Sequence, residues 1–154
     1  GVATGARKSL HPRKHVFTMA IGDHRMMDFL DDNPAVESHP VSYTNDPFII
    51  SRNDAMISVN ALIQVDLLGQ GNAEFLGEHQ YSGSGGRISR IVPRLDPGVQ
   101  ITTPRNDVQY LVTEHGMTDL KGKSSRERAL AIIGLAHPEF RDDLMRAAED
   151  MYLI

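Results

Sequence analysis

The stretch Gln80-Tyr81-Ser82-Gly83-Ser84-Gly85-Gly86 is the most unusual local sequence in the chain. Glycines tolerate positive φ and let a ligand approach consecutive backbone N–H groups. Stabilising a carboxylate, a thioester oxyanion or a pyrophosphate needs that arrangement. The spacing fits neither a dinucleotide fingerprint nor a P-loop, because no Gly-Lys-Ser/Thr follows. A flexible surface loop is the competing reading. Asn45-Asp46-Pro47 offers a second possibility. Most simply it is turn chemistry, but a rigid turn would also present the Asn45 amide as a donor to a substrate oxygen, and such donors are worth a few kcal/mol in a transition state.

Other polar groups have equally plain alternatives. Glu114, in Thr113-Glu114-His115-Gly116, sits at a predicted strand end, where α/β enzymes often place functional groups. It could act as base or nucleophile, although a carboxylate bonded to neighbouring backbone N–H groups is the favoured reading. Lys121-Gly122-Lys123-Ser124 precedes a helix and could hold an anion at its N-terminus, or simply be a capped, solvated start. Thr103-Pro104-Arg105-Asn106-Asp107 adds a basic loop. The seven histidines are scattered along the chain and there is no cysteine, so no metal site is expected.

The elements that must carry these groups follow from pattern and punctuation. Residues 14–22 predict a buried strand closed by Gly22, and Asp23 caps a short helix with Met26, Met27, Phe29 and Leu30 on its apolar face. A second strand is expected from Val36 to Tyr43, before the turn at Asn45-Asp46-Pro47. Runs at 55–60 and 62–68 read as strands, with Ile63, Val65 and Leu67 near alternation and one face left for another task. Gly69-Gln70-Gly71-Asn72 is a tight turn, and further strand-like runs lie at 88–92, 98–103 and 108–113. The last third changes period: Ser124 or Ser125 opens a helix that breaks before Pro138, and a second runs from about Phe140 to Tyr152. Strands first and helices last indicate an α/β domain.

Composition narrows the function classes. The 154 residues suit one domain with a real core, and 40% hydrophobic with 23% charged residues is a globular balance. Sixteen basic against twenty acidic side chains leave a net charge of −4, with the basic residues dispersed, so neither nucleic acid nor an anionic membrane is an expected partner. Without cysteine there is no disulfide, thiolate metal site or cysteine nucleophile. No apolar run approaches a membrane span, and the first residues resemble neither a signal peptide nor an initiating segment. A cytoplasmic enzyme fragment is expected.

Several stretches, taken in order, resemble one family. They are Thr4-Gly5-Ala6-Arg7-Lys8, Asp28-Phe29-Leu30-Asp31-Asp32-Asn33-Pro34, Val59-Asn60 with Val65-Asp66-Leu67-Leu68-Gly69-Gln70, and Tyr81-Ser82-Gly83-Ser84-Gly85-Gly86. Ser89-Arg90-Ile91-Val92-Pro93, Thr102-Thr103-Pro104-Arg105-Asn106-Asp107-Val108, Val112-Thr113-Glu114-His115-Gly116 and Ala136-His137-Pro138-Glu139-Phe140-Arg141 complete the series. This order resembles the C-terminal domain of the acetyl-CoA hydrolase/transferase family, which includes acetate, succinyl and 4-hydroxybutyrate CoA-transferases.

The resemblance implies an open CoA-transferase-like (NagB/RpiA-like) α/β sheet domain flanked by helices, two of them C-terminal. It implies coenzyme A transfer between an acyl-CoA and a carboxylate, with no permanently bound cofactor. A glutamate attacks the thioester to give a mixed anhydride, the released CoA thiolate attacks the glutamyl carbonyl, and a second carboxylate reverses the sequence. Interception by water would give hydrolysis instead. By motif, Asn45 matches the amide donor to the reacting carbonyl, and Gly85 or Gly86 the facing backbone donor. Ile63, Ser82, Gly83 and Ser84 match neighbours of the CoA arm. The family's nucleophilic glutamate belongs to a segment before Thr4-Gly5-Ala6-Arg7-Lys8, and none of Glu74, Glu78 or Glu114 matches it. Residues 1–154 therefore read as a C-terminal domain lacking the N-terminal half and the nucleophile. The family's longer stretch before Ser-Arg-Ile-Val-Pro has only Arg87 and Ile88 in its place, either because the chain is truly shortened or because a segment is left out between Gly86 and Arg87. Expected partners are acyl-CoA, a small carboxylate, the N-terminal domain and a second or further copy of the chain. A non-catalytic CoA-binding module is the alternative from another class.

Overall fold

A computed structural model describes residues 4–76, 79–80 and 89–154, which fall into two units, Gly1–Val59 and Asn60–Ile154. In the N-terminal unit, β1 (His15–Phe17) leads through α1 (His24–Leu30) to β2 (Val36–Ser38), and two short helices follow, α2 (Val41–Thr44) and α3 (Pro47–Ser51). β1 and β2 pair in parallel, with His15 opposite Val36 and Phe17 opposite Ser38. A parallel pair needs a crossover, which α1 supplies. Asp23 caps α1 as expected, its carboxylate accepting from the Met26 N–H at 3.3 Å.

The strands of this unit are shorter and wetter than the sequence predicts. β1 stops at Phe17, so Met19 and Ile21 stand exposed, Ile21 at 80%. The expected strand from Val36 to Tyr43 ends at Ser38, because Pro40 has no N–H for a ladder and instead opens α2. The run at 55–60 forms no strand. Ala55 takes φ +52, and Ile57 and Val59 are 81% and 89% exposed. No described residue of the N-terminal unit is fully buried.

The core belongs to the C-terminal unit. Its elements are β3 (Gln64–Asp66), β4 (Gly71–Asn72), β5 (Phe75–Leu76), β6 (His79–Gln80), β7 (Ile91–Val92), β8 (Tyr110–Thr113), β9 (Gly116–Asp119), α4 (Ser125–Gly134) and α5 (Pro138–Asp150). β3 lies between β4, antiparallel, and β7, parallel, with Val65 opposite Ile91. β5 pairs with β6 and β8 with β9, each antiparallel. Leu67, Leu120 and Ile132 are completely buried with Val65, Ile91, Leu111, Ile133, Leu144 and Ala148 around them. Each large side chain so buried contributes about 1.5–3 kcal/mol. The α/β class, the open sheets and the two C-terminal helices match the expectation.

The alternation read in 62–68 does not leave a free face, since Gln64, Val65, Asp66 and Leu67 are all buried. Asp66 is consumed internally, whereas the buried Gln64 Oε1 has no hydrogen-bond partner among the described residues. The Asp66 carboxylate accepts from the N–H groups of Leu68 and Gln70 at 3.0 and 2.9 Å and from the Gln70 amide at 2.6 Å. That closes the turn in which Gly69 takes φ +86, a conformation that strains any residue with a Cβ. The run at 98–103 contributes only a bridge from Thr103 to Gly71, between Pro97-Gly98 and Pro104.

Candidate active site

Asn45 ends α2, its N–H donating to the Val41 carbonyl at 2.9 Å. Asp46 then takes an extended conformation before Pro47, as the proline ring demands, and its side chain caps α3 through the Phe48 N–H at 2.8 Å. The turn read from sequence is thus a double cap that pins Asn45 between two short helices. The Asn45 side chain is exposed. Its Oδ1 accepts from the Thr44 hydroxyl at 3.2 Å, while the Nδ2 donor makes no hydrogen bond among the described residues. A held carboxamide with a free donor can hydrogen-bond a carbonyl oxygen or an oxyanion.

Ile63 lies half-buried just before β3, its N–H donating to the Asn72 carbonyl at 2.7 Å. Asn45 belongs to the N-terminal unit and Ile63 to the C-terminal unit. Ser82, Gly83, Ser84, Gly85 and Gly86, like the junction with Arg87, lie outside the described residues.

Sequence reasoning missed a cavity of about 650 Å³ in the C-terminal unit, lined by Ser89, Arg90, Ile91, Thr113, Glu114, Leu135, His137 and Phe140 among others. Its walls come from Ser89-Arg90-Ile91, Thr113-Glu114 and Ala136-His137-Pro138-Glu139-Phe140, three of the motif segments quoted above. The Thr113 hydroxyl donates to the Leu135 carbonyl at 2.8 Å, joining the end of β8 to the end of α4. Glu114 and His115 are the two loop residues of the β8–β9 hairpin, in which Thr113 pairs with Gly116. The Glu114 carboxylate is exposed and approaches His115 Nε2 at 3.7 Å, rather than bonding backbone N–H groups as the sequence suggested.

The Lys121-Gly122-Lys123-Ser124 stretch resolves to the capped-start reading. Ser124 and Glu127 form a capping box: the Ser124 hydroxyl accepts from the Glu127 N–H at 3.3 Å, and Glu127 accepts from the Ser124 N–H at 2.8 Å. The hydrogen bond from the Ser124 hydroxyl, then that from its backbone, hold the Glu127 carboxyl below the usual carboxylate range. A carboxylate of the chain itself already occupies this helix N-terminus. Among the described residues, the group that could ligate a metal is His11 with Glu37 and His39, the last two being two residues apart on and just past β2. No helix among the described residues is long and apolar enough to cross a membrane.

The chain belongs to the family described as acetyl-CoA hydrolase/transferase C-terminal domain, whose model matches residues 22–89 and 85–148. Among its relatives is the succinyl-CoA:cyclohexane-1-carboxylate CoA transferase of Geobacter metallireducens, 42% identical over 178 positions that cover 98% of this chain and 41% of the relative. The 4-hydroxybutyrate coenzyme A transferase of Clostridium kluyveri is 42% identical over 94% of this chain and 40% of the relative. The crystal structure of RipA from Yersinia pestis superposes with a TM-score of 0.85 at 45% identity, covering all of this chain and 41% of that one. The chain thus spans about two fifths of the length of the relatives it matches.

Proposed function

We propose that the complete protein transfers coenzyme A between an acyl-CoA and a small carboxylate through a glutamyl-CoA thioester. In this reading Asn45 and the backbone N–H of Gly85 or Gly86 stabilise the developing oxyanion. Ile63, Ser82, Gly83 and Ser84 border the CoA arm, and the nucleophilic glutamate is not among residues 1–154. The observation that carries the assignment is Asn45 itself: the position matched by motif to the amide donor holds an exposed carboxamide on a backbone fixed by caps on both sides, and its Nδ2 makes no hydrogen bond among the described residues. Glutamate attack on the thioester carbonyl expels CoA thiolate and forms the anhydride. Thiolate attack on the glutamyl carbonyl then releases the free acid and leaves enzyme-bound thioester. Both steps pass through an oxyanion that such a donor stabilises.

Borohydride reduction of the full-length protein incubated with acyl-CoA tests this. Trapping of an enzyme-bound thioester is expected, and failure with a panel of acyl-CoAs overturns the transferase reading. Free acid formed with no carboxylate acceptor present would move the assignment to hydrolysis.

Two further readings belong to the same proposal. The relatives carry a stretch that is absent between Gly86 and Arg87. The family model matching in two blocks that meet at residues 85–89, and 178 aligned positions against a chain of 154, support this. Mass-spectrometric peptide mapping across Gly86–Arg87 checks the junction. The remaining part of the protein, and a second copy, cover apolar surface exposed here. A cytoplasmic location belongs to the same reading.

A further inference from the structure

His11 meets Glu37 and His39, two ligands more than twenty residues further along the chain, in the N-terminal unit. His11 Nδ1 lies 2.6 Å from Glu37 Oε2, and His39 Nε2 lies 3.4 Å from the same oxygen. The three donor atoms all fall within 4.8 Å of one another. His11 comes from the loop before β1, Glu37 from the middle of β2 and His39 from the residue just past its end. Their side chains are 23–30% exposed, so the cluster is fixed by neighbours yet open on one side.

The surroundings resemble those of metal ligands more than those of a casual surface contact. His11 uses its second ring nitrogen, Nε2, on the Tyr43 hydroxyl at 2.7 Å. Glu37 has its second oxygen, Oε1, 3.4 Å from the Lys14 ammonium, which leaves Oε2 facing the two imidazoles. A ligating imidazole with its other nitrogen held, and a ligating carboxylate that is itself hydrogen-bonded, are the usual outer-shell pattern. His39 stacks on Tyr43 with ring centroids 4.7 Å apart, which sets its orientation. The backbone is committed as well, since His11 takes φ +49, which few residues other than glycine adopt. Burial opposes ionisation of Glu37, but hydrogen bonds with His39, His11 and Lys14 outweigh it and hold the carboxyl below its usual range.

We propose that His11, Glu37 and His39 form a structural site for a divalent transition metal of the zinc class, with water completing the coordination. Two imidazoles and one carboxylate suit zinc and its neighbours, whereas calcium and magnesium take oxygen sets. The ion replaces the proton shared between imidazole and carboxylate. It ties the loop carrying His11 to β2.

The test is titration of the metal-stripped full-length protein with Co²⁺, followed by visible absorption and calorimetry, with Zn²⁺ competition and thermal melting. Wild type is expected to show one equivalent that His39→Gln lacks, and a melting temperature that rises with Zn²⁺ only when His39 is present. Gln can still hydrogen-bond Glu37, so that variant keeps the bare network. Tyr43→Phe removes only the outer hydrogen bond and is expected to weaken binding about 10- to 100-fold. If His39→Gln fails to fold, as judged by circular dichroism, Tyr43→Phe carries the decision. Absence of a saturable equivalent in wild type overturns the proposal. So does an equivalent unchanged in both variants, which would place the ion elsewhere and leave the cluster a hydrogen-bonded staple.

Discussion

In the proposed reading, Asn45 takes on chemistry without any change in the turn that holds it. Its backbone closes α2 and its neighbour Asp46 opens α3, so the caps hold whether or not the side chain is an amide. Asn45→Ala in the full-length enzyme is therefore expected to leave the melting temperature nearly unchanged. Its kcat should fall roughly 100- to 1000-fold, the usual loss for one oxyanion donor. A fall confined to KM would assign Asn45 to ground-state binding instead. Asp66 presents the opposite case, a carboxylate used up in structure. Asp66→Ala would strand two backbone N–H groups inside the Leu68–Gln70 turn, a loss of about 3 kcal/mol readable in the denaturant midpoint.

At the scale of elements, local chemistry was legible and pairing was not. The caps at Asp23 and Ser124 could be read because each lies within four residues of the N–H it serves, whereas Asp46 read only as part of a turn and α3 went unread. Strand lengths depend on partners far away: β1 runs only as far as β2 does, and β2 stops because of Pro40. β9 went unread because Gly116, Met117 and Asp119 are exposed and give no alternating pattern, its identity coming from β8 alone. The cluster of His11, Glu37 and His39 was invisible for a related reason, since its closure spans 26 residues and requires β1 and β2 to align. The capping box of α4 allows a signed pH test. With its carboxyl lowered in the fold, Glu127 favours the native state above the ordinary carboxylate range and loses that contribution as pH falls through the folded value. Ser124→Ala is expected to destabilise by about 1 kcal/mol at neutral pH. The gap from wild type should narrow as unfolding is repeated at progressively acidic pH.

The whole molecule is uneven in a way that bears on how it works. The C-terminal unit has a dry core of aliphatic side chains from β3, β7, β8, α4 and α5, whereas the N-terminal unit, which carries Asn45, has no fully buried residue among those described. Met19, Ile21, Phe48, Met56, Ile57 and Val59 are all more than half exposed in that unit. Apolar exposure on this scale usually marks a surface that another body covers. The chain amounts to about two fifths of its relatives' length, and in the proposed reading the part that the relatives have in addition supplies the covering. Residues 1–154 alone are then expected to bind a hydrophobic dye such as ANS strongly and to expose residues 1–59 to protease, while the full-length protein does neither. Equal dye binding by both would mean that the apolar face stays open in the intact enzyme. The donor at Asn45 would then rest on a unit with little to hold it in register, and the wild-type enzyme should transfer CoA no faster than the Asn45→Ala variant.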